Sequence, residues 1–308
     1  MCIGKAINNA ATVTNYQAII FATITFLKKI FEVMRIVFRL TLMMILWVLL
    51  VTNLHAQTKK KERKGEFYFS WGYNKEWYTK SNVRVMQPSL GNDYKFTSIS
   101  GHDHPGWDEG NLLKIPISIP QYNYRLGYFF NKKKGLAFEI NFDHTKFIFA
   151  DQNARVVGKL NNRQVDTTVA FNPTNGYYYY LNNGANFLLF NIVKRWHIYE
   201  TKNQHFKLDF LGKAGVGPVI PHVENKFGGL GGDKGNNPGF QLGGWNIGAE
   251  GTIKATFFNT VFLEYCNKLD YASYSGLKVY QGTARHSFGT YEMILNLGIT
   301  FPMGKRIK

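Results

Sequence analysis

The feature that most constrains the fold of this chain is a strict alternation of apolar and polar residues, which recurs in about eight segments. The alternation is clearest in residues 290–301. Its apolar row is Tyr291, Met293, Leu295, Leu297, Ile299 and Phe301, and its polar row includes Thr290, Glu292, Asn296 and Thr300. A period of two residues is the period of a β-strand, so each segment predicts a strand with one apolar and one polar face.

The residue types on the two faces of each strand distinguish a membrane barrel from a soluble β-sandwich. Aromatic residues make up 16% of the chain and are concentrated in the apolar rows, whereas charges are frequent in the polar rows. Beyond the N-terminal region no apolar run is long enough for a transmembrane helix, which needs about 18 residues. Apolar faces toward lipid and charged faces toward the inside predict an all-β, up-and-down antiparallel transmembrane β-barrel.

The predicted barrel covers residues 65–301 and has eight strands joined by alternating short and long connections. The long connections are at roughly 79–116, 151–180, 223–238 and 270–284. This rhythm is typical of barrels with tight periplasmic turns and long extracellular loops. Residues 93–101 also alternate, and we interpret them as a hairpin arm within the first long loop. A ten-stranded barrel is the alternative.

The N-terminal region predicts export. Arg35 and Arg39 precede an apolar run from Leu40 to Val51, and Ala56 provides a small residue at a cleavage point. Residues 34–56 are therefore predicted to be a signal peptide, and residues 1–33 an upstream extension outside the fold. A membrane anchor over roughly residues 17–51 is the alternative, although both arginines interrupt it.

Two basic tails flank the predicted barrel, residues 57–64 on the periplasmic side and residues 302–308 at the C-terminus. The formal net charge is +17, and most of it remains after removal of the signal peptide. An exported basic protein is expected to contact anionic membrane lipid, including lipopolysaccharide, rather than nucleic acid. Cleavage also leaves Cys266 as the last cysteine, so no disulfide within the chain is predicted.

The polar rows predict a charged network inside the barrel, because enclosed charges are tolerated when they are paired. Its predicted members are Arg125, Glu139, Asp143, Arg195, Lys207, Asp209, Glu250, Glu264 and Glu292, together with Lys213 and Lys268. Acidic and basic members are nearly equal in number. The basic excess of the chain is therefore expected in turns and loops.

At this point the chain resembles a family, the small OmpA/OmpX-type outer-membrane barrels. Residues 66–73, 120–128, 139–144 and 285–288 are also similar to barrel proteins of Bacteroidota-type bacteria. The resemblance implies an eight-stranded barrel in the outer membrane of a Gram-negative cell and says little about activity. One departure is that the terminal aromatic residue of such barrels, here Phe301, is followed by a basic tail.

A lipid A deacylase is the enzymatic alternative, since enzymes of that kind share the barrel and use a His-x-Ser motif with a Glu. His286, Ser287 and Glu292 are the weak catalytic candidates here. Adjacent residues of a strand point to opposite faces, so His286 and Ser287 are not expected to form a couple. Glu292 shares the face of His286, and we interpret it as a member of the interior network.

A metal site is a second weak hypothesis. His102 and His104 would share one face of a strand, with Asp108 and Glu109 close behind, and His is a common zinc or copper ligand. An exposed polar loop is the favoured interpretation, and no metal or other cofactor is predicted.

The function predicted from the sequence is a structural or surface-binding role without catalysis. The long loops would bind an extracellular glycan or protein, and the chain is expected to be a monomer. The alternatives are the lipid A-modifying enzyme and a small pore, and the filled interior of an eight-stranded barrel disfavours a pore.

Overall fold

A computed structural model describes residues 63–104 and 121–306 of the chain. The predicted upstream extension, the signal peptide, the anchor alternative and most of the basic tail 57–64 lie outside the described residues. No helix in the described residues is long and apolar enough to cross a membrane.

The described residues form sixteen β-strands and three short 3-10 helices. The strands are β1 (Arg63–Tyr78), β2 (Ser81–Gln87), β3 (Asn92–Ile99), β4 (Gly101–His102), β5 (Tyr122–Asn131), β6 (Leu136–His144), β7 (Phe147–Phe149), β8 (Gln152–Leu160), β9 (Arg163–Phe171), β10 (Tyr177–Leu181), β11 (Phe187–Glu200), β12 (Phe206–Pro218), β13 (Glu224–Phe227), β14 (Gly244–Phe257), β15 (Val261–Val279) and β16 (Gly282–Arg306). The 3-10 helices are Pro88–Leu90, Pro173–Asn175 and Leu230–Gly232.

Eight of these strands close into a ring, in the order β1-β5-β6-β11-β12-β14-β15-β16. Every neighbouring pair is antiparallel, and β16 pairs back onto β1, with Phe67 opposite Phe301 and Trp77 opposite Tyr291. The predicted up-and-down β-barrel is therefore confirmed. The last strand does not end at Phe301, because β16 continues through part of the predicted basic tail to Arg306.

The outer wall of the ring carries a belt of exposed apolar side chains, which we call the apolar belt. On β16 it runs from Tyr291 to Phe301, and on β15 from Leu263 to Tyr271. About ten residues at about 3.3 Å each, inclined by about 40°, span about 25 Å, which is the height of the lipid-facing band of outer-membrane barrels. A closed ring with this belt leaves no backbone edge facing lipid.

The two ends of the barrel differ. At one end β5–β6, β11–β12 and β14–β15 are joined by short turns, and we call this the short-turn end. At the other, the long-loop end, β2, β3, β8 and β9 extend the barrel sheet from β16, with β3 paired between β2 and β8. The hairpin arm predicted at residues 93–101 is thus confirmed in β2–β3.

The prediction of a long loop at residues 270–284 is wrong. β15 and β16 continue as one paired ribbon to Val279 and Gly282, and only Tyr280 and Gln281 connect them. The predicted loop at 151–180 is likewise largely strand, because it contains β8, β9 and part of β10. The predicted barrel does not include β8, β9 and β10, because the prediction uses only strands with a lipid-facing apolar row, and these strands lie beyond the lipid-facing part of the barrel.

The strands exchange the character of their two faces where the apolar belt ends. On β16 the inward row changes from Glu292 and Thr290 to Phe288, while the outward row changes from Tyr291 to Ser287 and Arg285. The inside of β16 is therefore mostly polar where lipid surrounds the strand and apolar beyond it. This exchange marks the edge of the membrane-spanning segment.

The apolar interior of the long-loop end is a second core, which we call the long-loop core. A small sheet, β13-β10-β7-β4, packs within it. Its largest fully buried side chains are Tyr94, Tyr179, Tyr274, Phe96, Phe147, Phe171, Phe187 and Phe227. The long connections are therefore a folded part of the molecule with their own hydrophobic stabilisation.

Candidate functional site

A network of ion pairs lies in the barrel interior within the apolar belt, and we call it the lumen network. Arg125 of β5 lies at its centre and is fully buried. One guanidinium nitrogen lies 2.9 Å from a Glu250 oxygen and 3.7 Å from Asp143, and the other lies 3.9 Å from Glu139. One cation thus connects carboxylates from two other strands.

Two buried lysines extend the lumen network. The Nζ atom of Lys213 lies 3.0 Å from Glu139, 3.1 Å from Glu250 and 3.8 Å from Glu264. The Tyr68 hydroxyl also donates to Glu139, at 2.7 Å. Glu139 is therefore held by a cation and by a neutral donor at the same time.

Lys268 of β15 joins carboxylates from three strands, which are Asp143 of β6, Glu292 of the neighbouring β16 and Asp270 of β15 itself. Its Nζ atom lies 2.6 Å from Asp143, 3.0 Å from Glu292 and 3.3 Å from Asp270. Glu292 is thus held by Lys268. Burying these charges requires such pairing, because an isolated buried charge costs several kcal/mol.

Three further members of the lumen network are absent from the predicted set. Asp270 lies in the predicted connection 270–284, but the alternation of β15 continues through it and places it inside. The Nζ atom of Lys254 lies 3.6 Å from Glu264 and over the Phe262 ring. Because Ile253 faces outward, the alternation of β14 places the adjacent Lys254 inside. Glu76 is the register partner of Glu292.

Three predicted members lie apart from the lumen network, at the short-turn end. Arg195 pairs with Glu66 at 2.7 Å, and Asp209 lies 2.9 Å from the ring of His197. Lys207 pairs with Glu200 at 2.9 Å, and its side chain is 25% exposed. Alternation along a strand shows which residues face inward but not how deep they lie in the barrel, so it does not separate these residues from the lumen network.

The weak catalytic candidates are not assembled into a catalytic group. His286 points into the long-loop core, where its ring stacks on Tyr274 with centroids 4.8 Å apart. Ser287 is on the opposite face of β16, and the Nδ1 atom of His286 lies 3.4 Å from the Ser81 hydroxyl. Burial lowers the pKa of His286 to about 3, so the ring is neutral at pH 7. Glu292 is engaged with Lys268.

The weak metal candidates lie at the start of the long-loop end. The Nδ1 atom of His102 is 2.8 Å from the backbone oxygen of Asp103, and the backbone N–H of His104 donates to Gln121. The Asp103 carboxylate is 3.1 Å from Lys75. Within residues 63–104 and 121–306, no group of three or more His, Cys, Asp or Glu is arranged to hold a metal ion. Asp108 and Glu109 lie outside the described residues.

No protein-family model matches the chain, and no curated protein matches it. Among solved structures, it is similar to the outer membrane protein OprG of Pseudomonas aeruginosa, with 11% identity, a TM-score of 0.37 and coverage of 79% of this chain and 99% of that one. It is also similar to the outer membrane protease OmpT of Escherichia coli, with 11% identity, a TM-score of 0.37 and coverage of 80% of this chain and 99% of that one. A third similar structure is Ail of Yersinia pestis in complex with the heparin analogue sucrose octasulfate. Its identity is 12%, its TM-score is 0.29, and the match covers 77% of this chain and 99% of that one.

Similarities this low carry no function from those proteins to this chain, and the resemblance to Bacteroidota barrels stays a prediction. The assignment of the chain to a membrane rests on its own physical features. A closed antiparallel ring, an apolar belt of about 25 Å and a charged interior are the construction of a Gram-negative outer-membrane protein. The chain is a transmembrane β-barrel of the outer membrane.

Proposed function

We propose that this protein is a non-catalytic outer-membrane barrel without an open pore, whose long-loop end binds a partner outside the cell. The observation that carries the proposal is the division of the interior into two filled parts. The lumen network and a smaller apolar cluster, which includes Tyr68, Phe129 and Phe262, occupy the membrane-spanning part, and the long-loop core occupies the part beyond it. A molecule built in this way has its available surface at the folded long-loop end.

The filled lumen opposes the small-pore alternative. Arg125, Glu139 and Glu264 have 0% exposure, and Lys213 and Lys268 are almost as deeply buried. An ion would have to displace several of these paired side chains to pass. An eight-stranded ring has an interior just wide enough for side chains.

Planar-bilayer recording tests the closed lumen. Purified full-length protein inserted into a bilayer should produce no conductance steps above the protein-free baseline. Reproducible steps from the wild-type protein would contradict the filled-lumen argument. Insertion is checked separately by recovering the protein with the lipid.

The long-loop end supports a binding role because it is folded. The β8–β9 hairpin, residues 152–171, stands on this end, and Ala154, Val156 and Phe171 anchor it in the long-loop core. Barrels of this kind direct their long connections outward and their short turns to the periplasm. We therefore place the long-loop end outside the cell, facing extracellular glycans or proteins.

A surface-binding assay tests this role. Cells displaying the wild-type protein should retain glycans or proteins that cells displaying a variant with the exposed residues Arg163, Thr167 and Thr168 changed to Ala retain poorly. A variant with Lys133, Lys134 and Lys202 changed to Ala at the short-turn end is the control for substitutions away from the hairpin. Equal retention by all three strains would argue against binding through the hairpin.

Lipid A from the same strains tests the proposed absence of catalysis. Mass spectrometry should give the same acyl pattern with and without the protein. A pattern with one acyl chain fewer would identify a deacylase and refute this part of the proposal. We further propose that the protein acts as a monomer, and light scattering of the purified protein in detergent tests this.

A further inference from the structure

Three cations lie side by side on neighbouring strands of the long-loop end. Arg285 of β16 is directly opposite Arg84 of β2, and Arg84 is directly opposite Lys95 of β3. Neighbouring strands are about 4.8 Å apart, so the three side chains form one row on one face of the sheet. We call this row the basic ladder. Like charges directly opposite each other destabilise a sheet, so sheet stability does not account for Arg285 and Lys95 on either side of Arg84.

The surrounding face has more positive than negative charge. Arg155 and Lys159 of β8 share the outward face with the basic ladder, and its carboxylates are Asp93 and Asp166. Arg84 pairs with Asp93 and Arg155 pairs with Asp166, each at 2.6 Å. Within the described part of the chain, no ion pair involves Arg285, Lys95 or Lys159. Arg285 and Lys95 of the basic ladder, with Lys159 beside them, are thus available to an external anion, whereas Arg84 is held by Asp93.

The field of these cations is seen at Asp93, which lies among them. The hydrogen bond from Arg84 lowers the pKa of the Asp93 carboxyl, and the charges of Arg84, Arg285 and Lys159 lower it further. The carboxylate therefore stays ionised and offsets part of the positive charge. The face remains basic after this offset.

The sheet that carries the basic ladder is held in place from behind. The inward neighbours of its residues are Val83, Val85, Tyr94 and Phe96, each at most 1% exposed within the long-loop core. The spacing of the three cations is therefore fixed by packed strands. A preorganised row binds with a smaller loss of conformational entropy than a flexible loop would.

The position of the basic ladder selects the kind of anion. Arg285 continues the outward row of β16, six residues beyond Tyr291 at the edge of the apolar belt. Six residues at about 3.3 Å with a tilt of about 40° put it about 15 Å above that edge. The row faces sideways, over the lipid surface. Groups that meet it belong to the sugar and phosphate layer of the outer leaflet.

We propose that the basic ladder binds the phosphate groups of the outer-leaflet glycolipid, lipopolysaccharide. This inference rests on the proposed outer-membrane placement and names the chemistry of one surface of the same molecule. The guanidinium of Arg285 suits phosphate because its fork of N–H donors matches two phosphate oxygens, whereas the fork of Arg84 is occupied by Asp93 and adds charge only. The contact would fix the long-loop end against the lipid surface.

The test compares two variants with the same loss of charge. One carries Arg84→Gln, Lys95→Gln and Arg285→Gln, and the control carries Lys133→Gln, Lys134→Gln and Lys202→Gln at the short-turn end. Both are purified as full chains in detergent, and their affinity for purified lipopolysaccharide is measured by native mass spectrometry. Each cation near an anionic surface contributes about 1 kcal/mol, so the ladder variant should bind about 100-fold more weakly than the wild type. The control variant should bind as the wild type does.

Three further arms identify the anion. Wild-type binding should weaken at 0.5 M NaCl and should be lost with dephosphorylated lipopolysaccharide, since screening and phosphate removal act on the same contact. A soluble sulfated saccharide, heparin, should bind far more weakly than the glycolipid. Equal binding by both variants, equal binding of dephosphorylated lipid, or a preference for heparin would each overturn the proposal.

Folding is checked independently by flotation with lipid vesicles and by gel mobility before and after heating. A wild-type protein that fails both would refute the outer-membrane placement, and this inference would fail with it. A wild-type protein that passes both but shows no ladder-dependent binding would refute the inference alone.

Discussion

Replacing Lys268 with Met is the most informative test of the lumen network. Its ammonium is within 3.3 Å of carboxylates of Asp143, Glu292 and Asp270. At an effective dielectric constant of about 20, a pair of unit charges 3 Å apart attracts by about 5 kcal/mol before desolvation is subtracted. Breaking a buried pair by removing one partner costs about 3–5 kcal/mol, and three carboxylates share this partner. We expect Lys268→Met to lower the free energy of unfolding by about that amount.

The matched control is Lys207→Met. Lys207 also pairs with a carboxylate, that of Glu200 at 2.9 Å, but both side chains are more than 20% exposed. Exposed pairs contribute about 0–1 kcal/mol, so this variant should be nearly as stable as the wild type. The assay is urea unfolding of protein refolded into lipid vesicles, followed by tryptophan fluorescence.

A second variant makes the Lys268 test specific. Lys268→Met combined with Glu292→Gln removes one of the uncompensated carboxylates, and it should recover part of the lost stability, as expected for coupled residues. The reasoning would be refuted if Lys268→Met cost no more than Lys207→Met. It would also be refuted if the double variant were less stable than the single one.

Two other predictions concern the belt and the long-loop core. Leu295→Arg, in the apolar belt, should lower the free energy of unfolding in vesicles by about 2–4 kcal/mol, whereas Ser287→Arg beyond the belt should change it little. Similar losses would contradict the assigned lipid-facing row. Burial lowers the pKa of His286 to about 3 from an unfolded value near 6.5, so stability falls as pH decreases from about 6.5 toward 3. His286→Phe should flatten this decline by about 2 kcal/mol at pH 5, and an unchanged slope of urea stability against pH would contradict it.

The alternation of the sequence predicts the barrel well because lipid and the lumen demand opposite side chains on the two faces of every strand. It also predicts the inward direction of Arg125 and Glu250, whose neighbours in sequence are apolar and face lipid. It does not predict contacts, because these depend on the register between strands that are far apart in sequence. Asp143 and Lys268 are 125 residues apart, yet their charged atoms are 2.6 Å from each other.

The long-loop core was missed for a different physical reason. Beyond the belt the inward row becomes apolar and the outward row polar, so β15 and β16 follow the pattern of a soluble sheet there. At the crossover, near Ala272 and Ser273, both rows are small or polar and look like a loop. At this point the apolar row of the strand passes from the outward face to the inward face.

This exchange of the apolar row between the two faces lets one continuous strand be stable both in the membrane and in the water beyond it. Below Tyr291, β16 gains stability by exposing leucines to lipid and pairing Glu292 inside; above it, the strand gains stability by burying Phe288 and exposing Arg285. Sliding the strand along the membrane normal would move Arg285 toward hydrocarbon, at about 2–4 kcal/mol for a cation at mid-depth, and would move lipid-facing leucines into water. β15, which is paired with β16 across the same boundary, adds a similar penalty. The height of the barrel in the membrane is therefore fixed by the sequence, and with it the height at which the basic ladder meets the phosphate layer.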